Sequence, residues 1–252
     1  MITKILLLTG ALISIYWINI GFQDKKYPVI HRTMKTIELD GTAIYAGRYD
    51  TIPAKSKYNK LGLPKNRNWL TRAEWKGDHL TGKQKKLFKM WKAEHIKNFI
   101  EYMALAVQEE RMNYPDIVPS VVIAQSILES NFGKSRLSVM GNNLFGHKYH
   151  GDNGDFLIMA DDDPDDKFTI YRSKWYSLRG HSKLLYKKYR KRIKGNPTAD
   201  KWIYALCSGE NSKESQRAVN NGQYVYATSC YKSCYQCKIK NIIKKYNLTK
   251  YD

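Results

Sequence analysis

The chain has 252 residues, of which 42% are apolar, 13% aromatic and 26% charged. That balance supports one domain with a sizeable core and excludes an intrinsically disordered chain. The net charge is +20, and residues 167–252 alone carry 20 Lys and Arg against 4 Asp and Glu. Such a field favours a polyanion or an anionic surface, with nucleic acid, bacterial cell wall and membrane faces as candidates. The 19 tyrosines suit a sugar ligand, because a ring stacks on the apolar face of a pyranose while its hydroxyl hydrogen-bonds.

Residues 5–22 (ILLLTGALISIYWINIGF) are uncharged, preceded by Lys4 and followed by Asp24, Lys25 and Lys26. The run is just long enough to span a bilayer. A cleaved secretory signal is the rival reading and a buried core helix a third. Small residues at cleavage spacing are absent near its end, and Tyr16, Trp17 and Phe22 resemble interfacial anchors, so an uncleaved membrane anchor over 1–22 is preferred. Either export reading puts the body outside the cytoplasm, in the cell envelope or secreted, where nucleic acid is not an expected partner.

Residues 23–80 scatter Gly, Pro, Thr and Lys with turns at Asp40-Gly41 and Leu63-Pro64. They read as a spacer with short extended pieces packing on the body, leaving 81–252 as the main domain. Helix is expected from Thr81, where Leu87, Met90, Trp91, Ile96, Phe99, Met103 and Val107 recur at helical spacing, to near Tyr114-Pro115. Pro119 suits the first turn of a second helix. Its run 121–128 is apolar on almost every face, so it should be buried. It reaches Glu129 and stops around 131–133, with Gly133 placed as a C-terminal cap. Residues 147–172 read as a small hairpin lobe with an acidic tip at 161–166. Residues 176–193, 200–206 and 235–246 read as helices.

Four cysteines, Cys207, Cys230, Cys234 and Cys237, fit two disulfides in an oxidising compartment. Three connectivities are open. A four-thiolate zinc site is the rival, but the spacing does not give two close ligand pairs. His147, His150 and Asp152 imitate a metal site without a third clear ligand. Neither a metal nor a cofactor is therefore expected.

A carboxyl at the end of a buried helix has two reasons to retain a proton: burial and the negative end of the helix dipole. A proton held near neutral pH is what a general acid for glycosidic cleavage needs. Glu129 is therefore the candidate acid. Glycoside hydrolysis usually engages a second group, and Asp161, Asp162 and Asp163 are the obvious store of carboxylates.

Residues 124–135 (AQSILESNFGKS) resemble the catalytic helix of glycoside hydrolase family 73, the endo-β-N-acetylglucosaminidases of bacteria and their phages. Residues 141–148 (GNNLFGHK) are similar to that family's next signature. Residues 161–163 with 168–173 (FTIYRS), 176–182 (YSLRGHS), 226–228 (YAT) and the closing segment 238–246 follow in order. The resemblance covers roughly 95–248. It implies a mainly α, lysozyme-like fold with a small β-hairpin lobe and a groove for a peptidoglycan strand. It further implies cleavage of the β-1,4 bond between N-acetylglucosamine and N-acetylmuramic acid. Glu129 falls on the family's acid and Tyr226 on a tyrosine that supports the reaction. Asn142, Asn143, Phe145 and Tyr171, which stand within these motifs, are the expected substrate-binding residues. Some members use the substrate's own acetamido group as nucleophile. Two departures stand out. Relatives usually carry Asp where this chain has Gly180. They also carry Asp-Pro after the YAT motif, where this chain has Ser229-Cys230 and about three inserted residues. A muramidase or lytic transglycosylase acting on the same glycan, and a non-catalytic wall-binding protein, are the alternatives.

Overall fold

The computed structural model describes residue 61 and residues 68–151, 155–161 and 163–252. The expected anchor at 5–22, most of the expected spacer, and Asp162 lie outside these described residues. The helices in chain order are α1 (Arg72–Lys76), α2 (Gly82–Glu110), α3 (Pro119–Ser130) and α4 (Arg136–Gly141). Two strands follow, β1 (Phe156–Ile158) and β2 (Lys167–Thr169), then α5 (Lys174–Lys188) and a 3₁₀ turn at Arg190–Arg192. The chain continues with α6 (Ala199–Cys207), α7 (Ser212–Asn220), α8 (Ser229–Lys232), α9 (Tyr235–Lys245) and a last 3₁₀ turn at Leu248–Tyr251. The fold is mainly α with a small β-hairpin lobe, as expected.

The long and buried helices fall where periodicity puts them. The short ones, α1, α4, α7 and α8, were not anticipated. Side-chain caps hold α1, α4 and α7, and the Cys207–Cys230 disulfide holds α8. In α1, Thr71 Oγ1 accepts the Glu74 N–H (3.2 Å) and Glu74 Oε2 accepts the Thr71 N–H (2.8 Å), a capping box that stabilises a single turn. Trp75 of α1 is buried and stacks on Phe132, with centroids 5.5 Å apart. Part of the stretch read as spacer is thus folded into the body, and Leu70 and Leu80 join the same core.

Helix α3 is the centre of the molecule, packed by α2, α6, α9 and the last 3₁₀ turn. Residues 121–127 are all buried. Its N-terminus has no side-chain cap of its own. Asp252 supplies one from the other end of the chain: Oδ1 accepts the Ser120 N–H (2.7 Å) and Oδ2 the Ser120 hydroxyl (2.9 Å). A carboxylate at that end also complements the helix dipole. At the C-terminus, Asn131, Phe132 and Gly133 have φ of 52°, 56° and 72°. Only the glycine adopts that region without cost. Phe132 is held there by its ring, packed against Trp75, Phe99 and Tyr246. This three-residue reversal fixes where Glu129, one residue before the end of α3, faces.

The hairpin pairs β1 and β2 antiparallel, with Leu157 opposite Phe168. It sits on α4 through Gly141, where a Cβ would lie 3.0 Å from Leu157 Cδ1. The disulfides are Cys207–Cys230, joining the end of α6 to α8, and Cys234–Cys237, at the start of α9. Among the described helices, none is long and apolar enough to cross a membrane.

Candidate active site

Glu129 is half-buried while its neighbours in the 121–127 run are closed to solvent. Its carboxyl meets the first residue of α9: the Tyr235 hydroxyl donates to Glu129 Oε1 at 2.9 Å. Tyr235 is buried and bracketed by the Cys234–Cys237 disulfide. Burial pushes the Glu129 carboxyl above the usual carboxylate range. The Tyr235 hydrogen bond, Arg72 of α1 and Lys238 of α9 pull it back, and Asp161 in the hairpin pushes it up. Desolvation is the largest of these, so the site favours a protonated acid.

Tyr226 lies beside this pair. Its ring is 5.5 Å from that of Tyr235 and 5.8 Å, edge-on, from His181. Its backbone N–H donates to Leu206 O at 2.8 Å, just before the Cys207–Cys230 bridge. Burial, and then the nearby Glu129 charge, hold its phenol well above the usual range. Cys230 thus ties this loop to α6 covalently, and Tyr226 keeps its place next to Glu129.

The acidic tip divides into separate roles. Asp163 Oδ1 accepts the Asp165 N–H (3.1 Å), and Asp166 Oδ2 accepts the Asp163 N–H (3.0 Å) and a Lys148 Nζ hydrogen (2.8 Å). These two carboxylates hold the turn and tie it to the preceding loop. Asp161 is exposed, 3.8 Å from Lys148 Nζ, and its charge is felt at Glu129. Asp162 is outside the described residues.

The NNLFGHK motif builds the floor. Asn143 is buried and saturated by backbone: Nδ2 donates to His147 O and Thr169 O, and Oδ1 accepts from the Phe145 and His147 N–H groups. Asn142, at φ 51°, donates to Tyr171 O at 3.0 Å. Phe145 is buried and stacks on His181 with centroids 3.8 Å apart and planes 3° from parallel. Tyr171 hydrogen-bonds His147 Nδ1 through its hydroxyl at 2.7 Å. Asn143 and Phe145 therefore shape the loop from inside. His147 is committed to Tyr171 and His181, and among the described residues no cluster of three His, Cys, Asp or Glu could hold a metal.

Residues 104–248, more than half of the chain, match the glucosaminidase family, described as mannosyl-glycoprotein endo-β-N-acetylglucosaminidase. The chain belongs to the glucosaminidase family. It is 30% identical over 144 residues to the exo-glucosaminidase LytG of Bacillus subtilis, covering 54% of this chain and 46% of that protein. It is 34% identical over 145 residues to an N-acetylmuramoyl-L-alanine amidase domain-containing protein of Staphylococcus aureus, covering 54% of this chain and 22% of the relative. This chain thus spans less than half the length of either curated relative. Among solved structures it is similar to the catalytic domain of the autolysin Auto from Listeria monocytogenes. That match has 28% identity and a TM-score of 0.41, over 62% of this chain and 87% of that one. Glu129, the NNLFGHK loop, Tyr226 and Tyr235 all fall within the matched stretch.

Four residues near Glu129 were missed in the sequence: Tyr235, Gln125, Arg72 and Lys238. Gln125 and Tyr235 stand inside segments already singled out. Their hydrogen bonds to one another and to Glu129 cross more than 100 positions, and no local period encodes such a contact.

Proposed function

We propose that this protein is an exported glycoside hydrolase. It cleaves the β-1,4 bond between N-acetylglucosamine and N-acetylmuramic acid in peptidoglycan, with Glu129 as general acid. Family membership supports the reaction class. The names of its relatives, an exo-glucosaminidase and an autolysin, support the wall polymer as substrate and a site of action outside the cytoplasm. The observation that carries the assignment of Glu129 is its setting: a carboxyl at the end of a buried helix, raised by burial, with one oxygen on the Tyr235 hydroxyl.

In this reading Glu129 protonates the leaving oxygen as the glycosidic bond lengthens. Tyr226 and Tyr235 surround the developing charge with phenol groups held neutral. Asp161 supplies the negative charge that helps an oxocarbenium-like transition state or orients the acetamido group. Asn142 and Tyr171 border the floor on which the glycan lies, with Asn143 and Phe145 setting its shape. The basic surface of 167–252 draws the anionic wall toward the groove. Residues 5–22 hold the protein at a membrane.

Product analysis on purified peptidoglycan tests this, with wild type and Glu129→Gln side by side. New reducing N-acetylglucosamine ends, lost in the variant, are expected. Anhydro-muramic ends would mark a lytic transglycosylase, reducing muramic ends a muramidase, and tight binding without turnover a wall-binding protein. Each of these would overturn the assignment.

A further inference from the structure

The hydrogen bonds of the site continue past Tyr235 into the core. Their direction follows from how many hydrogens each group owns. An ionised Glu129 only accepts, so Tyr235 donates its single hydroxyl hydrogen to Oε1. The Tyr235 oxygen then accepts from Gln125 Nε2 (3.3 Å), an atom that only donates. Gln125 Oε1 only accepts, so His181 carries its hydrogen on Nε2 (3.1 Å). His181 is fully buried and held neutral by desolvation, well below the usual histidine range. Its Nδ1 is therefore bare and accepts from His147 Nε2 (3.2 Å). His147 is pushed down to about 4 by burial and by His150. It is also neutral near pH 7, so its Nδ1 accepts from the Tyr171 hydroxyl (2.7 Å). Five hydrogen bonds run from the edge of the hairpin lobe, through α5, α3 and the first residue of α9, to Glu129, and each one points at Glu129.

Gly180 explains how the far end fits. A Cβ there would stand 2.8 Å from Tyr171 Oη and 3.3 Å from Cε1. The glycine that replaces the relatives' Asp leaves the space that the Tyr171 hydroxyl fills.

We propose that Tyr171, His147, His181 and Gln125 form a one-way positioning relay that commits the Tyr235 hydrogen to Glu129 Oε1 and so keeps the acid proton of Glu129 on Oε2. This rests on the reading of Glu129 as general acid. Oε2 takes no hydrogen bond from the other described residues. A proton on Oε1 would point at Tyr235 and away from any glycosidic oxygen. When Glu129 gains its proton the relay need not turn: Oε1 keeps accepting as a carbonyl oxygen and Oε2–H faces the substrate. Reversing it would require both histidines to change tautomer and the Gln125 amide to flip together in a buried site. The relay adds no charge. The charged and titratable groups facing Glu129 are Tyr235 and Lys238 from α9, Arg72 from α1, Asp161 from the hairpin and Tyr226 from the loop before α8, whose phenol also hydrogen-bonds Tyr235; of these only Tyr235, the last donor, belongs to the chain of hydrogen bonds.

Histidine ¹⁵N NMR on the full chain reads the direction without substrate. Both His147 and His181 are expected as Nε2–H tautomers with bare Nδ1, and Nδ1–H on either ring overturns the relay. Tyr171→Phe removes the distal donor and Gly180→Ala displaces it, both away from Glu129. Mixed tautomers are expected, with kcat lower by about fivefold, the size of one net hydrogen bond. Retained tautomers with unchanged kcat in Tyr171→Phe overturn the proposal even where Gly180→Ala fails to fold. A wild-type chain with both Nε2–H rings and no turnover overturns the activity reading instead, and upholds the direction of the relay.

Discussion

Glu129 and the tip of the hairpin place the same chemical group in two surroundings. Glu129 sits at the end of an apolar helix with a phenol on one oxygen, and burial holds its carboxyl above the usual range. At the tip, Asp161 and Asp163 are exposed and Asp166 is partly covered, and Asp163 and Asp166 accept backbone N–H groups and a lysine. Environment, rather than residue type, separates a carboxyl raised by burial from carboxylates that hold a turn. Asp161 lies between the two cases: it belongs to the tip, is exposed, and still acts on Glu129 through its charge.

The largest effect should come from removing the protonated side of this comparison. Glu129→Gln keeps the shape but donates no acid proton. Release of reducing ends should fall by about a thousandfold or more, within the range of general acid catalysis. Variant activity within tenfold of wild type would place the acid elsewhere. Tyr235→Phe comes next, with kcat lower by about thirtyfold, the loss of one hydrogen bond to a chargeable group. Its pH profile carries a sign. With Glu129 as the proposed acid, activity should fall as pH rises through its pKa. Tyr235 stabilises the anion and lowers that pKa, so the phenylalanine variant should move the basic limb to higher pH. The double variant Cys234→Ser, Cys237→Ser ranks third. It frees the turn that aims Tyr235 while Cys207–Cys230 still ties α6 to α8. A loss of about tenfold in kcat is expected from that misplacement, with the limb moving the same way. An unchanged rate would show that α9 positions Tyr235 unaided.

Much of this was legible in the sequence, and the boundary of what was not has a physical cause. The helix carrying Glu129 announced itself by an unbroken apolar run opened by Pro119, because a helix closed on every face leaves such a trace. The hairpin was marked by its turn residues, and the two disulfides by the compartment and the even count. Their pairing was open, since it depends on which helix ends meet. The four short helices were missed because capping and packing hold them. The same limit applied within the site. Glu129 came from the end of the buried apolar run and Tyr226 from motif resemblance, whereas Tyr235 reaches Glu129 from 106 positions away. Asn143 shows the converse. Its motif was plain, yet only its hydrogen bonds reveal that it braces the loop from within.

The smallest predicted effect is the sharpest test of the comparison, because it works inside the tip. Asp161→Asn removes a charge that raises the Glu129 pKa, so it should move the basic limb to lower pH, opposite in sign to Tyr235→Phe. The rate on the acidic plateau should fall by only about threefold, since an exposed charge acts weakly through water. Asp163→Asn is the paired control. Its Oδ1 accepts the Asp165 N–H, a bond that the asparagine amide oxygen keeps without the charge, so stability should fall by at most about 1 kcal/mol, seen in urea denaturation, with the limb left in place. If Asp163→Asn moved the limb and Asp161→Asn did not, the division of the tip would be wrong. A plateau loss for Asp161→Asn as deep as that for Glu129→Gln would mean something further. The tip would then hold a reacting carboxylate, and the contrast between a buried acid and solvated anions would become a working pair on one bond.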